Sequence, residues 1–286
     1  MDERNISSDF IDDISEIGDV VPVNAEFSGI TECYVSKHGY TRLFKANRFG
    51  KTYILKCLRR DFLYTSLYRT ALSKEFEIGL QFDHMNICRT IGMEEVEGIG
   101  PAIILEYVDG DTLEDFMGKG LLTMALARKF VGQLVDVLGY LHSKQTIHRD
   151  LKPSNIMVTH KGQNIKLIDF SLSDNDTFNV LKIPGGTSGY IAPELFLPNA
   201  KSGILCDIYS FGVLMANMAE ATCDKTMMKT ARHCMSRQPE NRPQSMQEIT
   251  IGEEYTAVQM IAVVILSVTA IALIVCIVVR LLQFVQ

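Results

Sequence analysis

The sequence predicts an α+β chain that ends in a transmembrane helix, and three observations carry this. Cys33 to Leu58 is rich in β-branched and aromatic residues, in the runs Cys33-Tyr34-Val35, Thr41 to Ala46 and Thr52 to Leu58, with Asn47-Arg48-Phe49-Gly50 as a hairpin turn. From Leu121 to His142, Phe130, Leu134, Val137, Leu138 and Leu141 recur at helical intervals, the pattern of a long amphipathic helix. Met260 to Val279 runs twenty residues without a charge. At helical rise that covers about 30 Å, the hydrocarbon thickness of a bilayer, and no face of such a helix would be polar.

Composition narrows the classes. A chain of 286 residues holds one two-lobed domain or two small ones around a real core. A net charge of −6 gives no electrostatic case for nucleic acid as a partner. The seven cysteines are scattered, with no CxxC pair, which argues against a zinc site and against a secreted disulfide framework. A reducing compartment is expected. Met1 to Val20 has seven acidic residues and one arginine, so it is neither a signal peptide nor a transit peptide. Residues 1–27 read as an acidic N-terminal segment, a tail or edge element.

At the other end a transmembrane helix is expected over 257–282, with only Arg280 to Gln286 beyond the uncharged run. The expected topology is single-pass and tail-anchored. The run has no GxxxG, so nothing in it argues for dimerisation, and the oligomeric state stays open.

The chemistry-bearing stretch is His148-Arg149-Asp150-Leu151-Lys152-Pro153-Ser154-Asn155, followed by Ile168-Asp169-Phe170-Ser171. Phosphoryl transfer needs a carboxylate to orient and deprotonate a hydroxyl, oxygen ligands for Mg²⁺, and positive charge beside the phosphates. The stretch supplies those groups, and it resembles the catalytic loop and the metal-binding Asp-Phe-Gly turn of the protein kinase family, with Ser171 where the family has glycine. The resemblance spans about residues 30 to 249. It implies a two-lobed kinase fold over 28–249, a β-rich N-lobe to about 106 and a helical C-lobe from about 107.

Further motifs match. Tyr53-Ile54-Leu55-Lys56 looks like the third-strand motif whose lysine contacts the α- and β-phosphates of ATP. Val35 to Leu43 takes the place of the glycine-rich loop, with Ser36, His38 and Thr41 replacing the motif glycines and Gly39 near its tip. Ser73 to Phe82 has helical spacing and runs into His84-Met85-Asn86-Ile87, which resembles the family's αC helix and the turn after it; the resemblance implies Glu75 as the partner of Lys56, with Glu77 as the neighbouring alternative. Ala102 to Gly110 resembles the interlobe connection. Leu105 would be the gatekeeper, the backbone of Glu106 to Val108 would meet adenine, and Asp111 the ribose hydroxyls.

The resemblance then implies a division of labour. Asp150 would take the proton of the substrate hydroxyl and Lys152 would neutralise the γ-phosphate. Asn155 and Asp169 would hold Mg²⁺ (or Mn²⁺). Lys56, paired with Glu75, would anchor ATP, with Ser36 and Gly39 in the covering loop. Gly186 to Glu194 looks like the segment that closes the activation loop, and Lys152 with Thr187 follows the serine/threonine pattern. Arg149 implies pairing with an activation-loop phosphate on Ser173 or Thr177. Asp207 is similar to the aspartate that braces the catalytic loop, and Arg242 to the arginine that pairs with Glu194. Only 35 residues separate Asp207 from Arg242, so the family's αG region is expected to be shortened.

The expected function is a membrane-tethered serine/threonine protein kinase that uses ATP and Mg²⁺ on protein substrates, with its catalytic domain on the cytoplasmic side, where ATP is. Its partners would be a protein substrate and, through the C-terminal helix, the lipid bilayer. A pseudokinase acting as a membrane-bound scaffold or nucleotide sensor is the alternative, because the covering loop is poor in glycine. A small-molecule kinase is a third reading, opposed by the match of Gly186 to Glu194 to protein-directed kinases.

Overall fold

Alternating apolar and polar residues in the first third of the chain build an antiparallel sheet. The computed structural model describes residues 26–36, 39–170, 189–197 and 203–252, together with Ile265, Leu266, Val268, Thr269, Ile271 and Ile274. Residues 1–25, Ser171, Ser173, Thr177, Thr187 and most of 257–282 lie outside the described residues, and so do the expectations placed on them. The chain divides into two compact units, Met1–His84 with Cys88–Val108, and Met85–Ile87 with Asp109–Gln286.

The first unit is a five-stranded sheet with one long helix. Its strands are β1 (Ser28–Val35), β2 (Thr41–Arg48), β3 (Lys51–Leu58), β4 (Thr90–Val96) and β5 (Gly100–Glu106), in the order β1-β2-β3-β5-β4. Between β2 and β3 the chain turns on Phe49 and Gly50, both left-handed with φ of 52° and 70°, the geometry that matches the twist of paired strands. Phe44, Ala46, Leu55, Cys57, Val96, Ile99, Ala102 and Ile104 form the core under the sheet. β1 pairs only with β2 and is exposed along its whole length, so it is a sheet edge interrupted by register shifts.

Helix α1 (Ser66–Gly79) begins seven residues before the predicted start and stops three short of the predicted end. Its buried face is Ala71, Leu72, Glu75 and Gly79, and the periodicity of Phe76 and Ile78 had placed the helix too far along. At its last residue, Gly79, a Cβ would strike the Thr90 side chain, so the close approach of β4 requires glycine there.

The second unit is mostly helical. Its elements are β6 (Gly110–Thr112), α2 (Leu113–Gly118), α3 (Met124–Ser143), β7 (Ile156–Thr159), β8 (Ile165–Leu167), α4 (Ile204–Thr222) and α5 (Lys225–Cys234). The Thr123 hydroxyl caps α3 by accepting the Leu126 amide, which sets its start three residues after Leu121. Phe130, Leu134, Leu138 and Leu141 of α3 are buried, as are Phe211, Leu214, Met215 and Met218 of α4, and the two helices pack together. Helix α4 has the length and hydropathy to cross a membrane, but it is largely buried and carries the fully buried Asp207, so it is a core helix.

After α4 the chain makes one abrupt turn. Cys223 is left-handed, with φ of 55°, and Asp224 is already the N-cap of α5. Among the described residues α5 is therefore the one α-helix between α4 and Arg242. The span from Asp207 to Arg242 thus holds the remainder of α4, one turn and α5.

Candidate active site

The residues of the His148–Asn155 stretch converge within the second unit. Asp150 Oδ2 lies 2.6 Å from Lys152 Nζ. Asn155 Nδ2 donates to the Asp150 carbonyl at 2.8 Å and to its Oδ2 at 2.9 Å. Those two bonds fix the Asn155 amide plane, so its Oδ1 faces the opposite way as a free-standing oxygen donor. The Asn155 carbonyl accepts the Ile168 amide at 3.2 Å, and Ile156 pairs with Leu167 at the start of the β7–β8 ladder. A hairpin thus brings Asn155, just before β7, beside Asp169, two residues beyond β8.

What holds the loop is Asp207. Its Oδ2 accepts the His148 amide at 2.8 Å and its Oδ1 the Arg149 amide at 2.9 Å, while His142 Nε2 lies 2.9 Å from Oδ2. Burial pushes this carboxyl up, but the hydrogen bond and charge of His142, with His148 and the Arg149 amide, outweigh it and hold it below the ordinary carboxylate value. Arg149 is itself left-handed, with φ of 65°, a conformation that a non-glycine residue keeps only when its surroundings enforce it. The His148 ring lies 5.5 Å from the Phe170 ring, and burial pushes its pKa down, with Asp207, Asp150 and Asp169 opposing.

A second anchor lies farther on. Arg242 grips Glu194 with two parallel bonds of 2.6 and 2.7 Å and also donates to the carbonyls of Leu205 and Ser236. Burial pushes the Glu194 carboxyl up, and the Arg242 guanidinium overrides it and holds it below its usual value.

The first unit holds Lys56. Lys56 Nζ on β3 lies 2.5 Å from Glu75 Oε1 on α1, and both residues are buried. In the connection after the sheet, the Glu106 amide donates to the Arg89 carbonyl at 3.0 Å, and the Glu106 carbonyl takes the Cys88 thiol at 3.5 Å. Lys45 stacks over Tyr107 at 4.4 Å, and Val108 is half-buried. At the other end of the sheet the Ser36 hydroxyl accepts the Gly39 amide at 2.8 Å.

The expected sites are thus grouped within each unit, Lys56 with Glu75 in one and Asp150, Lys152, Asn155 and Asp169 in the other. Asp111 is engaged elsewhere. Its carboxylate takes Lys119 Nζ at 2.8 Å and lies 3.5 Å from His160 Nε2. A hydrogen bond from Lys119, with help from His160, holds it below its ordinary value. A ribose hydroxyl would have to share it.

Several working residues were invisible in the sequence. Arg128 Nε donates to Asp224 Oδ2 at 2.7 Å and its Nη2 to the Thr226 hydroxyl at 2.9 Å, a pairing across 96 residues. Arg59 is another. Among the described residues no cluster of three His, Cys, Asp or Glu side chains could hold a metal by itself. Two oxygen donors, Asn155 and Asp169, fit Mg²⁺, which keeps waters and phosphate oxygens in its remaining positions.

The family follows from comparison with known proteins. The chain matches the protein kinase domain model over residues 37–278, and it belongs to that family. It is 34% identical over 184 residues to CBL-interacting protein kinase 21 of Oryza sativa subsp. japonica, covering 62% of this chain and 34% of that protein. It is 38% identical over 146 residues to serine/threonine-protein kinase kin-29 of Caenorhabditis briggsae, covering 50% of this chain and 18% of that protein. The chain therefore spans about a third or less of the length of these curated relatives. A solved structure titled PpkA-294 apo form shares the fold, with a TM-score of 0.64 at 16% identity, over 75% of this chain and 92% of that one.

Proposed function

We propose that this chain is an ATP-dependent serine/threonine protein kinase. The observation that carries the reading is the Asp150–Lys152–Asn155 constellation on a loop whose backbone is fixed by Asp207. Each residue type required for phosphoryl transfer is present, and the relatives are named as protein kinases. The set is complete, which does not favour a scaffold that has given up catalysis.

In the reaction, Asp150 accepts the proton of a serine or threonine hydroxyl and sets its oxygen in line with the γ-phosphorus. The new oxygen–phosphorus bond forms as the bond to the β,γ-bridging oxygen breaks and ADP leaves. Lys152 offsets the charge on the γ-phosphoryl oxygens, and Lys56, oriented by Glu75, steadies the α- and β-phosphates. Asn155 and Asp169 would hold Mg²⁺, which neutralises phosphate charge when bound.

We also propose that the run 260–279 tethers the chain to a bilayer, with the catalytic domain facing the cytoplasm. The described positions in it support this. Ile265, Leu266, Val268, Ile271 and Ile274 are helical and exposed, and Thr269 folds its hydroxyl back on the Leu266 carbonyl at 2.9 Å. A hydroxyl bonded to its own helix is cheap in hydrocarbon.

The test is phosphate transfer by the full-length chain in detergent micelles, given labelled ATP, Mg²⁺ and casein, against Asp150→Ala. Phosphoserine or phosphothreonine with the wild type alone supports the reading. A folded wild type that labels neither itself nor casein would move the reading to the scaffold.

A further inference from the structure

The β1–β2 turn lacks the glycines that let a phosphate-covering loop bring its amides close to a nucleotide. The structure offers a replacement device built on Arg59, just beyond β3. Arg59 Nη1 donates to the Ser36 carbonyl and to the Gly39 carbonyl, each at 3.3 Å, and the Arg59 amide donates to the Tyr40 carbonyl at 2.8 Å. One residue therefore takes three carbonyls of the turn. The turn closes on itself as well, through the Ser36 amide on the Thr41 carbonyl at 3.1 Å and the Gly39 amide on the Ser36 hydroxyl.

A trans peptide points its N–H opposite to its C=O. Pinning the Gly39 carbonyl toward Arg59 thus turns the Tyr40 amide away from the guanidinium. At Ser36, Gly39 and Tyr40 the arginine thus supplies from behind a constraint on the backbone.

The guanidinium is itself held. Nη2 pairs with Asp61 at 3.1 Å, and the plane lies over the Phe62 ring at 5.4 Å. Phe62 packs on Tyr68 with ring centroids 4.5 Å apart, and Tyr68 packs on Tyr40 at 5.0 Å. Tyr68 belongs to α1, the helix that carries Glu75. The turn, Arg59 and the helix that orients Lys56 form one contiguous cluster in the first unit.

We propose that Arg59 is a positioning residue for nucleotide binding, which holds Ser36, Gly39 and Tyr40 between β1 and β2 in place of the missing glycines and ties them to α1. The proposal rests on the reading of the chain as an ATP-using kinase. Lysine cannot substitute fully, since one ammonium cannot engage two carbonyls and Asp61 while lying flat on Phe62.

The experiment measures the dissociation constant of Mg·ATP by calorimetry on the full-length chain in detergent micelles, and KM for ATP against kcat with casein. Arg59→Ala is expected to weaken Mg·ATP binding and raise KM for ATP about tenfold, the loss of two charge-assisted hydrogen bonds, with kcat at saturating ATP within about twofold. Arg59→Lys should fall between that variant and the wild type. Arg60→Ala, which removes an exposed neighbouring charge, should match the wild type. The proposal is overturned if Arg59→Ala binds Mg·ATP as the wild type does, or if Arg60→Ala loses as much. It is also overturned if kcat falls in step with the folded fraction. If Arg59→Ala does not fold, Arg59→Lys decides by the same dissociation constant. A wild type that binds Mg·ATP but transfers no phosphate removes the kinase reading and leaves the binding comparison to decide this one. A wild type that binds no Mg·ATP overturns both.

Discussion

The carboxylate of Asp207 and the main-chain amide of Arg149 are joined by a 2.9 Å hydrogen bond, and Arg149 is left-handed at that point. The strained residue sits immediately before Asp150, so the bond decides where that carboxylate is presented. Asp207→Asn keeps the volume but loses the charge and one acceptor oxygen. It should cost about 2–4 kcal/mol of stability, because buried amides lose their partner, and activity should fall with it. The pH dependence has a definite sign. The folded-state pKa of Asp207 is depressed, so its contribution is present above the unfolded carboxylate pKa and is lost as pH falls through the folded value. Urea unfolding of both proteins at neutral and acid pH checks this. A gap between wild type and variant that widens in acid would contradict the assignment.

Lys56 and Glu75 form a buried pair at 2.5 Å, and removal of one partner strands the other charge. Lys56→Met and Glu75→Leu should each lose about 3–5 kcal/mol of stability. The double variant should recover much of that stability while phosphate transfer stays abolished, since in the proposed reaction the lysine also serves the nucleotide. A double-mutant cycle read by both denaturation and activity separates the two roles. Recovery of activity in the double variant would show that the pair is only structural.

How much of this was legible in the sequence depends on whether the signal was local. The loop residues Asp150, Lys152 and Asn155 lie within six positions of one another, and the strand carrying Lys56 has its own alternation, so both could be read. Asp207 and the Glu194–Arg242 pair were legible only through the family pattern, because nothing near Asp207 announces that its carboxylate faces two amides 58 and 59 residues away. Helix α1 was placed too far along because the apolar spacing of Phe76, Ile78 and Leu80 marks half-buried and exposed positions, while its buried face begins earlier, at Ala71 and Leu72. Arg59 left no trace, since its partners in the turn are main-chain carbonyls, which any sequence could offer.

Asp224 gives the clearest acid-sensitive contact. Burial pushes its carboxyl up, but Arg128, the Met227 amide and the Thr226 hydroxyl outweigh that and hold it at about 2. The carboxylate both caps α5, directly after the two-residue turn from α4, and ties it to Arg128 of α3. Its contribution, up to about 2 kcal/mol from the depressed pKa, is complete above about pH 4 and is lost as pH falls toward about 2. Asp224→Asn should flatten that part of the stability profile, and its loss at neutral pH should exceed that of Thr226→Ala. Acid titration followed by circular dichroism reads both. An unchanged profile in Asp224→Asn would place the acid sensitivity elsewhere.

The proposed tether makes a prediction independent of catalysis. Leu266 and Ile271 are exposed helical positions near the middle of the uncharged run. On insertion scales an arginine at the centre of a spanning helix costs about 2.5–3.5 kcal/mol, so two of them approach the whole favourable energy of a single span. The full-length chain should stay with membranes through alkaline carbonate extraction, and Leu266→Arg/Ile271→Arg should move to the supernatant. Phosphate transfer per molecule toward a soluble substrate should be unchanged, because neither residue belongs to the kinase machinery. A wild-type chain that carbonate releases would remove the tether while leaving the kinase domain untouched. Protease added outside sealed vesicles then tests the facing: the kinase domain should be digested on vesicles that display their cytoplasmic side and protected on inverted ones.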